Sequence, residues 1–140
     1  MARTSVLFVC VHNSARSQMA EAFLRAMAGD RYEVESAGLE PGALNPAVVA
    51  VMKEAGIDIA SHRTKSVGEF LRAGRRFDCV ITVCDETQAE RCPVFPGTAR
   101  RLHWSFADPS SFAGPEEEKL RRTREVRDEI RVAVRAFCAT

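Results

Sequence analysis

The feature that most constrains this 140-residue chain is the junction spanning residues 6–17. Val6-Leu7-Phe8-Val9 is a short, wholly apolar run rich in β-branched residues. That is the pattern of a strand covered on both faces, as strands in a parallel sheet are. Cys10 stands just past its end, and Val11 to Ser14 reads as a polar turn. Ala15 to Ala28 then carries apolar residues at helical spacing (Met19, Ala20, Phe23, Met27) until Gly29-Asp30 stops it. The junction is therefore a buried strand, a tight loop and a helix, with a cysteine where strand meets loop.

The remainder of the chain repeats this alternation. Arg31 to Ala37 alternates like a strand, Asn45-Pro46 opens a helix that runs to Ala55 and is closed by Gly56, and Ser66 to Ala73 is a shorter helix. Cys79 to Val83 is a second buried strand that ends at Cys84, and Arg100 to Trp104 reads as a fourth strand. Glu116 to Phe137 is a long helix with acids in its first turn and Leu120, Ile130, Val134 and Phe137 on one face. Strands alternating with helices imply an α/β fold: one domain over residues 1–140, built as an open parallel sheet of about four strands with helices on both faces. Reactive groups in such sheets gather beyond the carboxyl ends of the strands, near the topological switch point. Cys10 and Cys84 both occupy such ends, which places two thiols in one crevice. Adjacent strands lie about 4.8 Å apart and next-nearest strands about twice that, whereas a disulfide needs Cα atoms within roughly 4.4–6.8 Å. Joining Cys10 to Cys84 is thus expected to move the backbone.

Composition excludes several classes of function. With 46% apolar and 28% charged residues the chain matches one ordinary globular domain, and a net charge of +1 supplies no general field for nucleic acid or anionic lipid. No apolar run is of membrane-spanning length, and Met1 to Val9 lacks the form of a signal peptide, so a cytoplasmic protein is expected. Five cysteines (Cys10, Cys79, Cys84, Cys92, Cys138) are an odd number without an export signal, which argues against a structural disulfide framework. No Cys-x-x-Cys or His-x-x-His pair is present, so no metal centre is expected. Cys79 and Cys138 default to packing or surface thiols, and His62, His103 and Trp104 to structural roles.

Cys10-Val11-His12-Asn13-Ser14-Ala15-Arg16-Ser17 carries the chemistry: a cysteine, five residues, an arginine and a serine, between strand and helix. Backbone N–H groups of such a loop point inward and add to the helix dipole, forming a cradle for a tetrahedral oxyanion. Arg16 can grip two of its oxygens, and Ser17 can donate to sulfur and help hold Cys10 as thiolate. The plain alternative is an ordinary helix start beside an inert cysteine.

This loop, the Asp108-Pro109 pair and the overall size resemble the low-molecular-weight tyrosine phosphatase superfamily along the whole chain. The phosphatases usually carry a glycine two residues after the nucleophile and tyrosines after the Asp-Pro pair; here those places hold His12 and Ser110-Ser111. Thr82-Val83-Cys84-Asp85, Arg91-Cys92-Pro93-Val94-Phe95-Pro96-Gly97 and His103-Trp104-Ser105-Phe106-Ala107-Asp108-Pro109 are instead similar to thioredoxin-coupled arsenate reductases. The resemblance implies arsenate as substrate, with phosphate and sulfate as competing oxyanions, and thioredoxin as the external reductant and partner. It implies Cys10 as nucleophile, Cys84 and Cys92 as resolving thiols that end as a Cys84–Cys92 disulfide, and Asp108 as general acid, for which a turn-capping role is the alternative. Electron counting agrees, since arsenate reduction takes two electrons and one dithiol supplies two. The spacing from Cys84 to Cys92 is one residue longer than in related reductases. Asp85 to Arg91 is polar and, if helical in the reduced state, would hold Cys84 and Cys92 about 12 Å apart. The resemblance also implies a potassium ion held behind the loop by Asn13, Glu21 and Ser36. The fourth ligand, a carboxylate in some reductases, is replaced near Lys65, so hydrogen bonding by Asn13 and Ser36, with the Lys65 ammonium in the ion's place, is the favoured alternative. No organic cofactor is implied, and a monomer is expected. Two rival readings stay open: a phosphotyrosine or small-phosphoester phosphatase, and a redox-sensing or phosphate-binding module.

Overall fold

The computed structural model describes residues 3–84, 91, 92, 95 and 97–139. The elements run β1 (Thr4–Cys10), α1 (Arg16–Ala28), β2 (Tyr32–Gly38), α2 (Pro46–Glu54), α3 (Val67–Arg72), β3 (Cys79–Thr82), β4 (Arg100–His103), a 3-10 turn (Pro109–Ser111) and α4 (Glu116–Cys138). The four strands form one wholly parallel sheet in the order β2-β1-β3-β4. From β1 the chain goes out to β2 and returns to β3 on the other side, so the switch point lies between β1 and β3.

Alternation along β1 explains why its sequence is apolar throughout. Val6, Phe8 and Cys10 face one core with Cys79 and Ile81 of β3, packed by Met19 and Phe23 of α1, Val48 and Met52 of α2, and Val126, Ile130 and Val134 of α4. Leu7 and Val9 face the opposite core with Val80, Val67 and Phe70 of α3, Phe77, Cys92 and Phe95. Full burial of Leu7, Phe8 or Met19 stabilises the fold by about 1.5–3 kcal/mol each. Helices thus cover both faces, as the α/β reading expects.

Local chemistry sets the helix ends. Asn45 caps α2, its Oδ1 accepting the Ala47 N–H at 2.9 Å, with Pro46 in the first turn. Ser66 caps α3 by accepting the Glu69 N–H at 3.0 Å. Two expectations need correction. Cys10 is the last residue of β1, in register with Gly38, rather than just beyond the strand. On α4 the buried positions are Thr123, Val126, Ile130 and Val134, while Leu120 and Phe137 are only half-buried. A polar residue holds a place on this face because the Thr123 hydroxyl donates to the Lys119 carbonyl at 2.7 Å, within its own helix. Among the described residues no helix is long and apolar enough to cross a membrane.

Candidate active site

The loop after β1 is shaped from outside by the segment that follows β2. The N–H groups of Leu39, Glu40, Gly42 and Asn45 donate to the carbonyls of Cys10, Val11, His12 and Ser14, at 3.1, 2.7, 3.0 and 3.0 Å. In a planar trans peptide the carbonyl and the next N–H point in opposite directions. Drawing those four carbonyls outward therefore turns the N–H groups of Val11, His12, Asn13 and Ala15 inward. The Asn13 N–H does reach the Cys10 sulfur, at 3.2 Å. The approach is so close that a Cβ on Gly38 would lie 2.8 Å from the Asn13 nitrogen and 2.8 Å from the His12 carbonyl carbon. His12 adds a further tie, its Nδ1 donating to the Glu40 carbonyl at 2.8 Å.

Asn13 is the hub beneath the loop. It holds a left-handed backbone (φ 54°), which asparagine tolerates better than most residues. Its Nδ2 donates to Ser17 Oγ at 2.7 Å and Ser36 Oγ at 2.9 Å, and its Oδ1 accepts from Gln18 Nε2 at 3.1 Å and the Lys65 N–H at 2.8 Å. Ser17 Oγ lies 2.9 Å from Cys10 Sγ. That oxygen also accepts from Asn13, which leaves its own proton available to the sulfur when Cys10 is a thiolate. Ser36 Oγ donates to Glu21 Oε1, which also takes Lys65 Nζ at 3.1 Å, while Arg25 holds Glu21 Oε2 at 2.7 Å. Burial alone would raise the Glu21 carboxyl, but the Lys65 charge, the Ser36 hydrogen bond and the Arg25 charge together bring it below its ordinary value.

Asn13, Glu21, Ser36 and Lys65 thus come together as one network, and its donor set does not fit a potassium ion. The oxygens of Asn13 and Glu21 are taken by protein donors, and two cationic side chains flank Glu21. The Lys65 ammonium, 3.1 Å from Glu21 Oε1, supplies positive charge within this network.

On the other side of the sulfur, Arg16 is buried, its NH1 donating to the Phe106 carbonyl at 3.1 Å and its NH2 3.6 Å from Asp108 Oδ2. Asp108 also caps the 3-10 turn, accepting the Ser110 N–H at 3.0 Å. Turn-capping and facing the loop are therefore compatible, one carboxylate oxygen for each. Asn45 Nδ2 donates to Ser110 Oγ at 3.0 Å, so the segment that shapes the loop also steadies this turn.

Cys84 is buried in the same core as Cys10, just beyond β3, the strand adjacent to β1. Cys92 is not with them; it is buried in the core on the opposite side of the sheet. Among the described residues no disulfide joins any of the five cysteines. The expected helix over Asp85 to Arg91 lies, apart from Arg91, outside the described residues, as do Pro93, Val94 and Pro96. Cys79 packs in the first core, where burial pushes its thiol up. His62 Nδ1 sits 3.1 Å from Gln18 Oε1 and His103 Nδ1 2.7 Å from Thr82 Oγ1; Trp104 packs on Phe8 and Phe137.

Sequence reasoning missed Gly38, Gln18 and the segment 39–45 that draws the loop open. The run Gly38-Leu39-Glu40-Pro41-Gly42 is legible as a turn, yet nothing in it announces that the turn's N–H groups serve another loop. Gln18 lies within a helical pattern and carries no separate signal.

This combination of a parallel sheet, a cysteine loop at its switch point and an arginine opening the next helix matches a known family model. Residues 5–140 fit the low molecular weight phosphotyrosine protein phosphatase family, and the chain belongs to it. Within that family it is similar to reductases in particular. It is 40% identical to an arsenate reductase of Bacillus licheniformis over 140 residues, covering 100% of this chain and 99% of that protein. An arsenate reductase solved in a phosphate-binding state superimposes with a TM-score of 0.77 at 30% identity, covering 97% of each chain. A thioredoxin-dependent arsenate reductase of Corynebacterium glutamicum gives a TM-score of 0.64 at 30% identity, covering 97% of this chain and 63% of that one.

Proposed function

We propose that this chain reduces arsenate to arsenite by a thiol relay in the order Cys10, Cys84, Cys92, and that thioredoxin reduces the final disulfide. The carrying observation is that a cysteine in an oxyanion cradle shares a core with a second buried thiol at the end of the adjacent strand. Hydrolysis of a phosphoester needs one thiol, whereas reduction needs a partner for it.

The inward N–H groups and Arg16 bind the oxyanion and orient it against Cys10. Phosphate and sulfate, being tetrahedral oxyanions as well, compete for the same cradle. Cys10 attacks arsenic; the S–As bond forms, an As–O bond breaks, and Asp108 protonates the departing oxygen, which leaves as water. The Cys84 thiolate then attacks Cys10 Sγ. The S–S bond forms and the S–As bond breaks with its electron pair left on arsenic, so arsenic(V) becomes arsenic(III) as two thiols become one disulfide. Cys92 attacks Cys84 and returns Cys10 as a thiolate. An external dithiol closes the cycle by exchange at Cys84–Cys92, and the similarity to a thioredoxin-dependent relative supports thioredoxin in that role.

The deciding assay is arsenate-dependent NADPH oxidation in the presence of thioredoxin and thioredoxin reductase, run beside hydrolysis of an aryl phosphate. Sustained NADPH oxidation that needs arsenate is expected. Brisk aryl phosphate hydrolysis with no arsenate-dependent oxidation would favour the second reading, a phosphatase. The observation in that reading's favour is Asp108 beside Arg16, an acid poised at the loop where a leaving oxygen needs a proton.

A further inference from the structure

Cys92 and Cys84 lie in cores on opposite faces of the sheet. Whatever holds Cys92 in its core therefore governs the last exchange of the proposed relay. Arg101 is on the edge strand β4, in register with Val80 of β3, on the face that carries Leu7, Val9 and Cys92. From there its NH2 donates to the Cys92 carbonyl at 3.2 Å. Cys92 is only 6% exposed, in a core with Phe70, Phe77 and Phe95. The neighbouring Arg91 is tied elsewhere, to Glu40 Oε2 at 3.0 Å. Glu40 is a residue whose N–H draws open the Cys10 loop.

We propose that Arg101 is the positioning residue for Cys92: it fixes the cysteine's backbone from β4 and places a permanent positive charge beside a thiol buried in an aromatic-lined core. The inference rests on Cys92 being a resolving thiol. Burial pushes the Cys92 thiol up, and the charge and hydrogen bond of Arg101 pull in the other direction. Arg101 thus holds the buried cysteine and offsets part of the cost of forming its thiolate. When Cys92 attacks Cys84, the Cys84–Cys92 bond forms, the Cys10–Cys84 bond breaks, and Cys10 leaves with the electron pair.

The test is the pH profile of alkylation at Cys92, followed by iodoacetamide labelling and peptide mass mapping on the reduced full-length protein. Arg101→Gln keeps a hydrogen-bond donor and removes the charge, so the midpoint for Cys92 should move to higher pH. Arg101→Lys should restore it toward that of the unaltered protein. A merely structural arginine predicts the opposite, since loosening the site would expose Cys92 and lower the midpoint. An unmoved or lowered midpoint in Arg101→Gln, or a lysine variant that behaves like the glutamine variant, would overturn the proposal. Alkylation involves no arsenate, so the profile can be read whether or not the reductase activity is found.

Discussion

Cys10 is the residue on which both candidate chemistries converge, because arsenate reduction and phosphoester hydrolysis would each begin with the same sulfur attacking the same kind of oxyanion. Cys10→Ser is expected to abolish both, and residual arsenite production in that variant would remove Cys10 from its role. Arg16→Lys keeps the charge but loses the planar two-pronged grip. A fall in catalytic efficiency on the order of 10²-fold is expected from steady-state kinetics; unchanged kinetics would mean that the anion binds elsewhere. Glu21 is tested through stability. Its folded carboxyl lies below the ordinary value of 4.5, so its contribution is fully present above that pH and is lost as pH falls through the folded value. Glu21→Gln leaves Lys65 and Arg25 facing a neutral group and should cost about 3–5 kcal/mol at neutral pH by denaturant unfolding. The deficit should narrow as pH falls through the folded value, which lies below 4.5, because the native carboxylate is then itself protonated. A deficit independent of pH would contradict the network's ionic character.

At the scale of elements, the loop is a product of β1, α1 and the turn after β2 together. Gly38 is where this dependence is tightest, because a side chain there would press on the backbone of residues 11–13. Gly38→Ala is expected to lower stability by about 1–3 kcal/mol and to lower turnover as well, since the loop must shift to make room. Wild-type melting and kinetics in that variant would show that the contact is slack. The same region shows how far the sequence could be read. The strand, loop and helix around Cys10 were legible because hydrophobic period and turn residues are local signals, and Cys10 and Cys84 fell at the ends of the two buried strands. The donors at Leu39, Glu40, Gly42 and Asn45 were not, because they are backbone groups and any residue but proline could supply them. Thr123 on the buried face of α4 escaped for a similar reason: its hydroxyl is satisfied inside its own helix, which hydropathy does not register.

At the scale of the whole molecule, the sheet divides the thiols between its two faces. Cys10, at the end of β1, and Cys84, just beyond β3, lie in one core and Cys92 lies in the other, a separation that spacing along the chain did not reveal. In the proposed relay the first exchange joins thiols from the ends of adjacent strands, and the second carries a thiol across from the opposite face. Thioredoxin, in this account, meets the disulfide only after that second step has moved it out of the crevice. Cys92→Ser isolates the second step, leaving the cradle, the nucleophile and the first resolving thiol intact. The measurement is the number of arsenites formed per enzyme by Cys92→Ser in the presence of thioredoxin, thioredoxin reductase and NADPH. The relay predicts one arsenite, then a stall with a Cys10–Cys84 disulfide recoverable by peptide mapping and little altered hydrolysis of aryl phosphate. Many arsenites per enzyme would contradict it.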